Sequence, residues 1–310
     1  MGGRGRLAAI AAALATLLAT AAPASAADPG RWHLVRADSV PLEYFQGITH
    51  DPARHWFFIG IFTGAYRTDT ALREQARSLD VIPPAIASTL GFNHIGDPTW
   101  QAAGGGRVIL PLECYVPGTP NGGNTCGRGA FGILDPATLT WRAMVPLDPR
   151  DIPKAMWAET SPDGRLIWTS SGRDLLAYRT SDVNTRTAAA GVPIRPVRRL
   201  QGAVPASGVT GAAFYEDRLF LAGQSPVTPH RLQVWSLDVG GGPLRPRLEL
   251  SRNIAAESEG LDVIKARGGV LHWLLSPFTS AGTPPTYGPG HSELLTFAPR
   301  GPRRPPALTG

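Results

Sequence analysis

Lysine is almost missing from this chain. Of 30 basic residues only Lys154 and Lys265 are lysines, so the cations are nearly all arginine. The formal charge of +6 is not gathered into a basic stripe with interleaved aromatics, so nucleic acid is not expected as a partner. Loss of Arg4 and Arg6 with an N-terminal leader lowers it to +4, and Arg300, Arg303 and Arg304 in the tail carry most of the rest. Charged residues are sparse at 17%, and there are only two cysteines. Beyond the N-terminus no apolar run reaches the roughly 20 residues that span a bilayer, so no membrane span is expected. No G-x-S-x-G elbow, phosphate-binding G-x-x-x-x-G-K-[ST] loop, H-E-x-x-H helix or EF-hand loop occurs. Elbow-type serine hydrolysis, P-loop nucleotide hydrolysis and zincin proteolysis lose their usual markers.

What is abundant is glycine and proline, 36 and 30 of 310 residues, without a strict period. Such a chain resists long helices, because proline breaks them and glycine weakens them. It suits short strands joined by turns. Eight Trp and ten Phe supply enough apolar area to bury a core, which argues against disorder.

The first residues read as a secretory leader. Arg4 and Arg6 precede an uncharged stretch from Leu7 to Ala22, and Ala24-Ser25-Ala26 is a small-x-small cleavage site. The expected division is a signal peptide over 1–26, one domain over 27–299, and a disordered Pro/Arg-rich tail over 300–310. Export to an oxidising compartment makes a Cys114–Cys126 disulfide the default, closing the loop-like segment YVPGTPNGGNT.

A repeat runs through the domain. Each copy opens with a small residue on a strand, passes a turn, and continues into a second apolar strand and a third. The small residues are Gly47, Gly96, Ala158, Gly211 and Gly260. Their turns are Asp51–Arg54, Gly104–Gly106, Ser161–Gly164, Glu216-Asp217 and Ala266–Gly269. Third strands include Ala130–Asp135, Leu175–Arg179 and Glu293–Phe297. Self-similarity near 50 residues with about four strands per copy predicts an all-β β-propeller. Small residues let inner strands crowd the axis. Five blades are counted; six is the competitor, with a degenerate blade hidden in 70–93 or 186–205. After Phe297 the prolines forbid another strand, so the fifth blade lacks its outer one. Trp32–Ala37 is predicted to supply it and close the ring.

A propeller works at a mouth of its axis. Polar residues on or before the inner strands are Gln46, His94, Asp97, Glu159, Thr210, Glu257 and Glu259, with Glu113 on a second strand. Converging carboxylates need a counter-charge. Glu159, Glu259, Gln46 and Thr210 are therefore expected to hold a divalent cation, Ca²⁺ in the first instance. His94, Asp97 and Glu113 are the expected catalytic groups, since a histidine among carboxylates can move protons. His50 is expected at a solvated turn, and His272 in the core.

Glu259-Gly260-Leu261-Asp262 followed by Val270-Leu271-His272-Trp273-Leu274 resembles the blade opening of the gluconolactonase and senescence-marker propellers, and Gln46-Gly47-Ile48 looks like a variant of it. The resemblance implies a propeller fold and a channel metal ligand at Glu259. Two functions stay open. One is an exported, metal-assisted hydrolase or lyase acting on an ester, lactone or sugar-like substrate. The other is a non-catalytic binding propeller for a glycan, peptide or partner protein. Either way a small-molecule or glycan ligand is expected at the channel mouth of a monomer. N-terminal sequencing of secreted protein should begin at Ala27; an intact Met1 in a cytosolic fraction would refute the leader.

Overall fold

The computed structural model describes residues 31–60, 63–116, 123–205, 208–225, 231–241, 243–254, 256–277 and 291–300. The expected leader and the tail beyond residue 300 lie outside the described residues. Five antiparallel sheets follow one another around an axis. From the inside outwards, blade 1 is Gly47–His50, Trp56–Gly60, Gly64–Thr68 and Glu74–Ser78. Blade 2 opens with His94–Ile95 and Thr99–Gln101, both paired to Arg107–Glu113, then Ala130–Leu134 and Trp141–Pro146. Blade 3 is Glu159–Thr160, Leu166–Ser171, Asp174–Arg179 and Arg198–Leu200. Blade 4 is Gly208–Tyr215, Arg218–Gln224, Arg231–Asp238 and Arg247–Asn253. Blade 5 is Glu257–Ala266, Gly269–Ser276 and His291–Pro299, completed by Trp32–Pro41.

The two segments that could have hidden a sixth blade are accounted for. Residues 70–93 contribute the outer strand of blade 1 and a short helix, Pro84–Leu90. Residues 186–205 contribute most of the helix Thr185–Ala190 and the outer strand of blade 3. Ring closure follows the expected pairing, with Leu34 opposite Phe297 and Ala37 opposite Leu295. The closing strand runs further than the sequence suggested, to Pro41 opposite His291, past a register shift between Leu34 and Arg36. Its Trp32 indole also donates to Glu249 Oε2 of blade 4 at 3.2 Å, tying the closing strand to the neighbouring blade.

The core is divided in five, one cluster at each blade interface. Trp56 and Tyr66 of blade 1 meet Leu274 and Leu294 of blade 5, while Trp157 and Trp168 of blade 3 meet Leu219 and Leu221 of blade 4. Trp273 packs with Phe220 between blades 5 and 4. Full burial of each such apolar side chain contributes about 1.5–3 kcal/mol, so the interfaces are a main source of cohesion between blades. His272 is buried among them as expected, facing Ile264 O and Thr296 Oγ1.

At the axis the small residues are where steric crowding demands them. A Cβ on Gly47 would lie 2.6 Å from Asp97 Cα, one on Gly211 2.8 Å from Gly260 Cα, and one on Gly260 2.9 Å from Gly47 Cα. One on Gly96 would strike Met156 O. Asp97 fills the space this belt leaves. Its main chain pairs with blade 3, accepting from Ala158 N at 2.9 Å and donating to Met156 O at 3.0 Å. Its carboxylate accepts from Ile48 N of blade 1 at 2.8 Å on Oδ1. On Oδ2 it accepts from Ala212 N of blade 4 at 3.1 Å and Leu261 N of blade 5 at 3.3 Å. One residue of blade 2 thus bonds to all four other blades.

Truncating Asp97 leaves three buried N–H groups without a partner, each worth about 1–3 kcal/mol. Asp97→Ala should therefore lose on the order of 4 kcal/mol in urea unfolding. A variant with unchanged unfolding and lost activity would instead mark Asp97 as a reacting group.

Candidate functional site

The five inner strands run the same way along the axis, so the small-residue belt divides it into two mouths. Residues before the belt, such as Gln46 and Glu259, face one end. Residues after it, such as Glu159 and Asp262, face the other. The connections between second and third strands border the first mouth. Their described parts include 114–116 and 123–129 in blade 2, Ser225 in blade 4 and Pro277 in blade 5. The other mouth has tight turns at 216–217 and 267–268, and the 180–197 connection of blade 3 leaves from it towards the helix Thr185–Ala190 on the flank of blade 2. The first mouth, bordered by the disulfide-closed connection after Glu113, is the loop-rich, functional candidate.

Two of the expected catalytic groups meet there. His94 opens blade 2 opposite Glu113, and the pairing register brings His94 Nδ1 to 2.7 Å from Glu113 Oε1. Lys154, from the segment leading into blade 3, lies 3.8 Å from Glu113 Oε2. Tyr115 stacks on the His94 ring at 4.9 Å between centroids. The Cys114–Cys126 disulfide is present and brackets this segment, with Cα atoms 5.7 Å apart. Asn93 pins the same stretch, accepting from Tyr115 N at 2.8 Å and donating to Tyr115 O at 3.1 Å.

Blade 5 and blade 1 supply the rest of this mouth. Gln46 Nε2 donates to Glu259 Oε2 at 3.1 Å, with both side chains buried. Burial pushes the Glu259 carboxyl well above its usual range, and the charges of Glu257, Asp97 and Glu113 push it the same way. Glu257, two residues before, is pushed up to about 7 by burial, against a bond from Gln224. Burial and the carboxylates of Glu257, Glu113 and Glu259 also raise the Tyr115 phenol, so its ring reports the same acidic neighbourhood.

Glu159 is not part of this group. It follows the belt, accepting from Phe214 N and Thr99 Oγ1, both at 3.0 Å. Its charged neighbours are Asp262 and His50, and burial pushes it up to about 8. His50 was expected at a solvated turn. It is part-buried instead, with Nδ1 at 2.9 and 3.0 Å from the two Asp262 oxygens. Burial pulls the His50 imidazole down, but Asp262 outweighs it and the net shift is upward. A cavity of about 750 Å³ opens beside this pair, lined by His50, Asp51, Arg54, Lys265 and Arg267. A second, of about 460 Å³, lies on the flank of blade 2 against Ala188 and Pro193. Neither reaches Glu113 or Glu259.

The expected site therefore needs correction. Asp97 is 0% exposed and both its oxygens are occupied by backbone donors, so it separates the mouths instead of lining one. The expected Ca²⁺ donors do not converge. Glu259 and Gln46 lie on one side of Asp97 and Glu159 on the other, while Thr210 Oγ1 donates to Ser258 O. Among the described residues no three His, Cys, Asp or Glu side chains gather as metal ligands. As placed, Glu159, Glu259, Gln46 and Thr210 do not surround one point. Sequence reasoning missed Tyr115, Lys154 and the His50–Asp262 pair. Tyr115 directly follows Cys114, and that adjacency was the available signal; the other two depend on how blades register, which spacing does not reveal.

Glu159 gives a stability test. Its proton is released near 4.5 in the unfolded chain and near 8 in the folded one. Between those values the folded state binds more protons, so stability falls as pH rises through the window and levels off above it. Glu159→Gln should make the urea midpoint between pH 5 and 8 less dependent on pH; an unchanged slope would remove Glu159 as its source.

No protein-family model matches the chain, and no curated protein matches it in sequence. Its fold is common among solved structures. An exo-β-1,3-galactanase from Phanerochaete chrysosporium is similar over 87% of this chain and 64% of its own, with 10% identity and a TM-score of 0.52. A second exo-β-1,3-galactanase, from Clostridium thermocellum, is similar over 84% of this chain and 59% of its own, with 11% identity and a TM-score of 0.51. This chain thus spans less than two thirds of the length of either galactanase. The glutaminyl cyclase of Myxococcus xanthus aligns over 87% of this chain and 97% of its own, with 10% identity and a TM-score of 0.48. The likeness to the two galactanases is one of fold.

Proposed function

We propose that the protein is an exported hydrolase or lyase whose acid–base chemistry runs at the loop-rich mouth, on an ester, lactone or sugar-like substrate. One observation carries the reading: the 2.7 Å contact of His94 Nδ1 with Glu113 Oε1, at the mouth that also holds Glu257, a carboxyl that burial pushes up to about 7. The Glu113 carboxylate against Nδ1 orients the imidazole for proton transfer. A carboxyl near 7 is matched to give a proton at neutral pH. In hydrolysis His94 takes a proton from water as the oxygen attacks the acyl or anomeric carbon, and Glu257 protonates the departing oxygen. In elimination His94 takes the proton from carbon and Glu257 again serves the leaving group. Lys154 lies 3.8 Å from the other Glu113 oxygen and positions that carboxylate against His94.

The fold alone does not choose a chemistry, because propellers host many. A second reading, a non-catalytic propeller binding a glycan, peptide or partner protein, is favoured by the disulfide-closed connection that borders the mouth, with Tyr115 stacked on His94. A panel of p-nitrophenyl esters, aryl lactones and p-nitrophenyl glycosides separates the two. One class should turn over, and His94→Ala or Glu113→Gln should lower kcat by about 10²–10⁴-fold. Glu257 acts protonated, so kcat/KM should decline as pH rises past about 7, and Glu257→Gln should abolish that limb. No turnover in any class, with ligand retention equal in wild type and His94→Ala, would give the binding reading the field.

A further inference from the structure

The loop-rich mouth has a surplus of acceptors. Gln46 is 7% exposed, and its Nε2 faces both Glu259 Oε2 at 3.1 Å and Phe45 O at 3.5 Å. The amide nitrogen is turned towards both acceptors. Gln46 Oε1 is left buried with no hydrogen-bond donor. Burying such a group without a partner costs free energy that nothing in the ring structure requires. A residue chosen only to pack here could be apolar.

The surroundings repeat the same deficit. Glu259 is 7% exposed and receives one donor, from Gln46. Its ionisable neighbours are Glu257, Glu113 and Asp97, all carboxyls. The cations of this mouth are committed elsewhere: Lys154 and His94 both face Glu113. Asp97 is already saturated by backbone N–H groups. The position beside Gln46 Oε1 and Glu259 therefore wants a group that donates several hydrogen bonds and carries positive charge.

We propose that this position binds a primary ammonium group of the substrate, with Gln46 Oε1 and the Glu259 carboxylate as its acceptors. The proposal rests on the reading of this mouth as the reacting site and narrows its substrates to amine-bearing ones, such as an amino ester or an amino sugar. Three N–H donors on one small cation match a neutral acceptor and a carboxylate together, whereas a hydroxyl offers one donor and no charge. A metal ion would need further ligands, and among the described residues none gather beside these two.

Thermal unfolding of the full chain with benzylammonium chloride, benzyl alcohol and CaCl₂ tests it. A ligand bound to the folded state raises Tm by mass action. Benzylammonium should give a saturable rise and bind at least about ten-fold more tightly than the isosteric alcohol, in keeping with a charged hydrogen bond. Gln46→Met keeps the side-chain volume and removes the acceptor; Glu259→Gln keeps the shape and removes the charge. Both should fold and both should lose the rise. Equal shifts from amine and alcohol would overturn the proposal, as would no shift with wild type. A rise with CaCl₂ that benzylammonium cannot displace or add to would assign the position to a metal instead. Binding and turnover separate the two claims. Amine binding without turnover in any substrate class leaves this inference standing and removes the enzyme reading. Turnover with no preference for amine-bearing substrates does the reverse.

Discussion

The Asp97 carboxylate joins blades 1, 4 and 5 through backbone N–H groups, and its own main chain joins blade 3. A ring of five sheets has no central strand to organise it. Apolar packing between blades is strong but non-directional, and it would tolerate small rotations of each blade about its neighbours. Hydrogen bonds to one fixed carboxylate would not. The belt of small residues is the other half of the same device, since any side chain at Gly47, Gly211 or Gly260 would push the inner strands out of reach of Asp97.

That plug also sets the chemistry. Carboxyls before and after the belt share an axis but not a site, so each mouth has its own electrostatics. The loop-rich mouth combines Glu259, Glu257 and the His94–Glu113 pair; the tight-turn mouth combines Glu159 with the His50–Asp262 pair. Burial lifts the carboxyl pKa at both ends, because a narrow opening removes water faster than it supplies donors. Protonated acids at neutral pH are the result, available either for proton transfer or for release when a cation arrives.

The blade count, the belt and the closing strand were all legible in the sequence. They rest on local signals: turn residues, alternation, and a proline-rich end that cannot pair. The candidate site was legible in composition but not in assembly. His94, Glu113, Gln46 and Glu259 were recognisable as polar residues of inner strands and their neighbours. Which mouth each faces depends on whether it precedes or follows the small residue. Read that way, Glu159 after Ala158 and Glu259 before Gly260 belong to opposite ends, a distinction that the residues carried and that a list of polar positions obscured. Asp97 shows the opposite limit. Nothing in the pattern around Gly96 distinguishes a carboxylate that reacts from one that receives three backbone donors from distant blades.

The closing pairing of Trp32–Pro41 with His291–Pro299 sets an order of events in folding. The first strand of the ring to be synthesised finds its partner in the last. Blades 1 to 4 can each form as local hairpins while the chain is still emerging, but the interface between blades 5 and 1 must wait for both ends. Pairing so distant in sequence is slow, because a long loop must close before any contact is made. Until then the strand with Trp32 stays an unpaired edge, and the chain remains a string of sheets that a chaperone can still hold open.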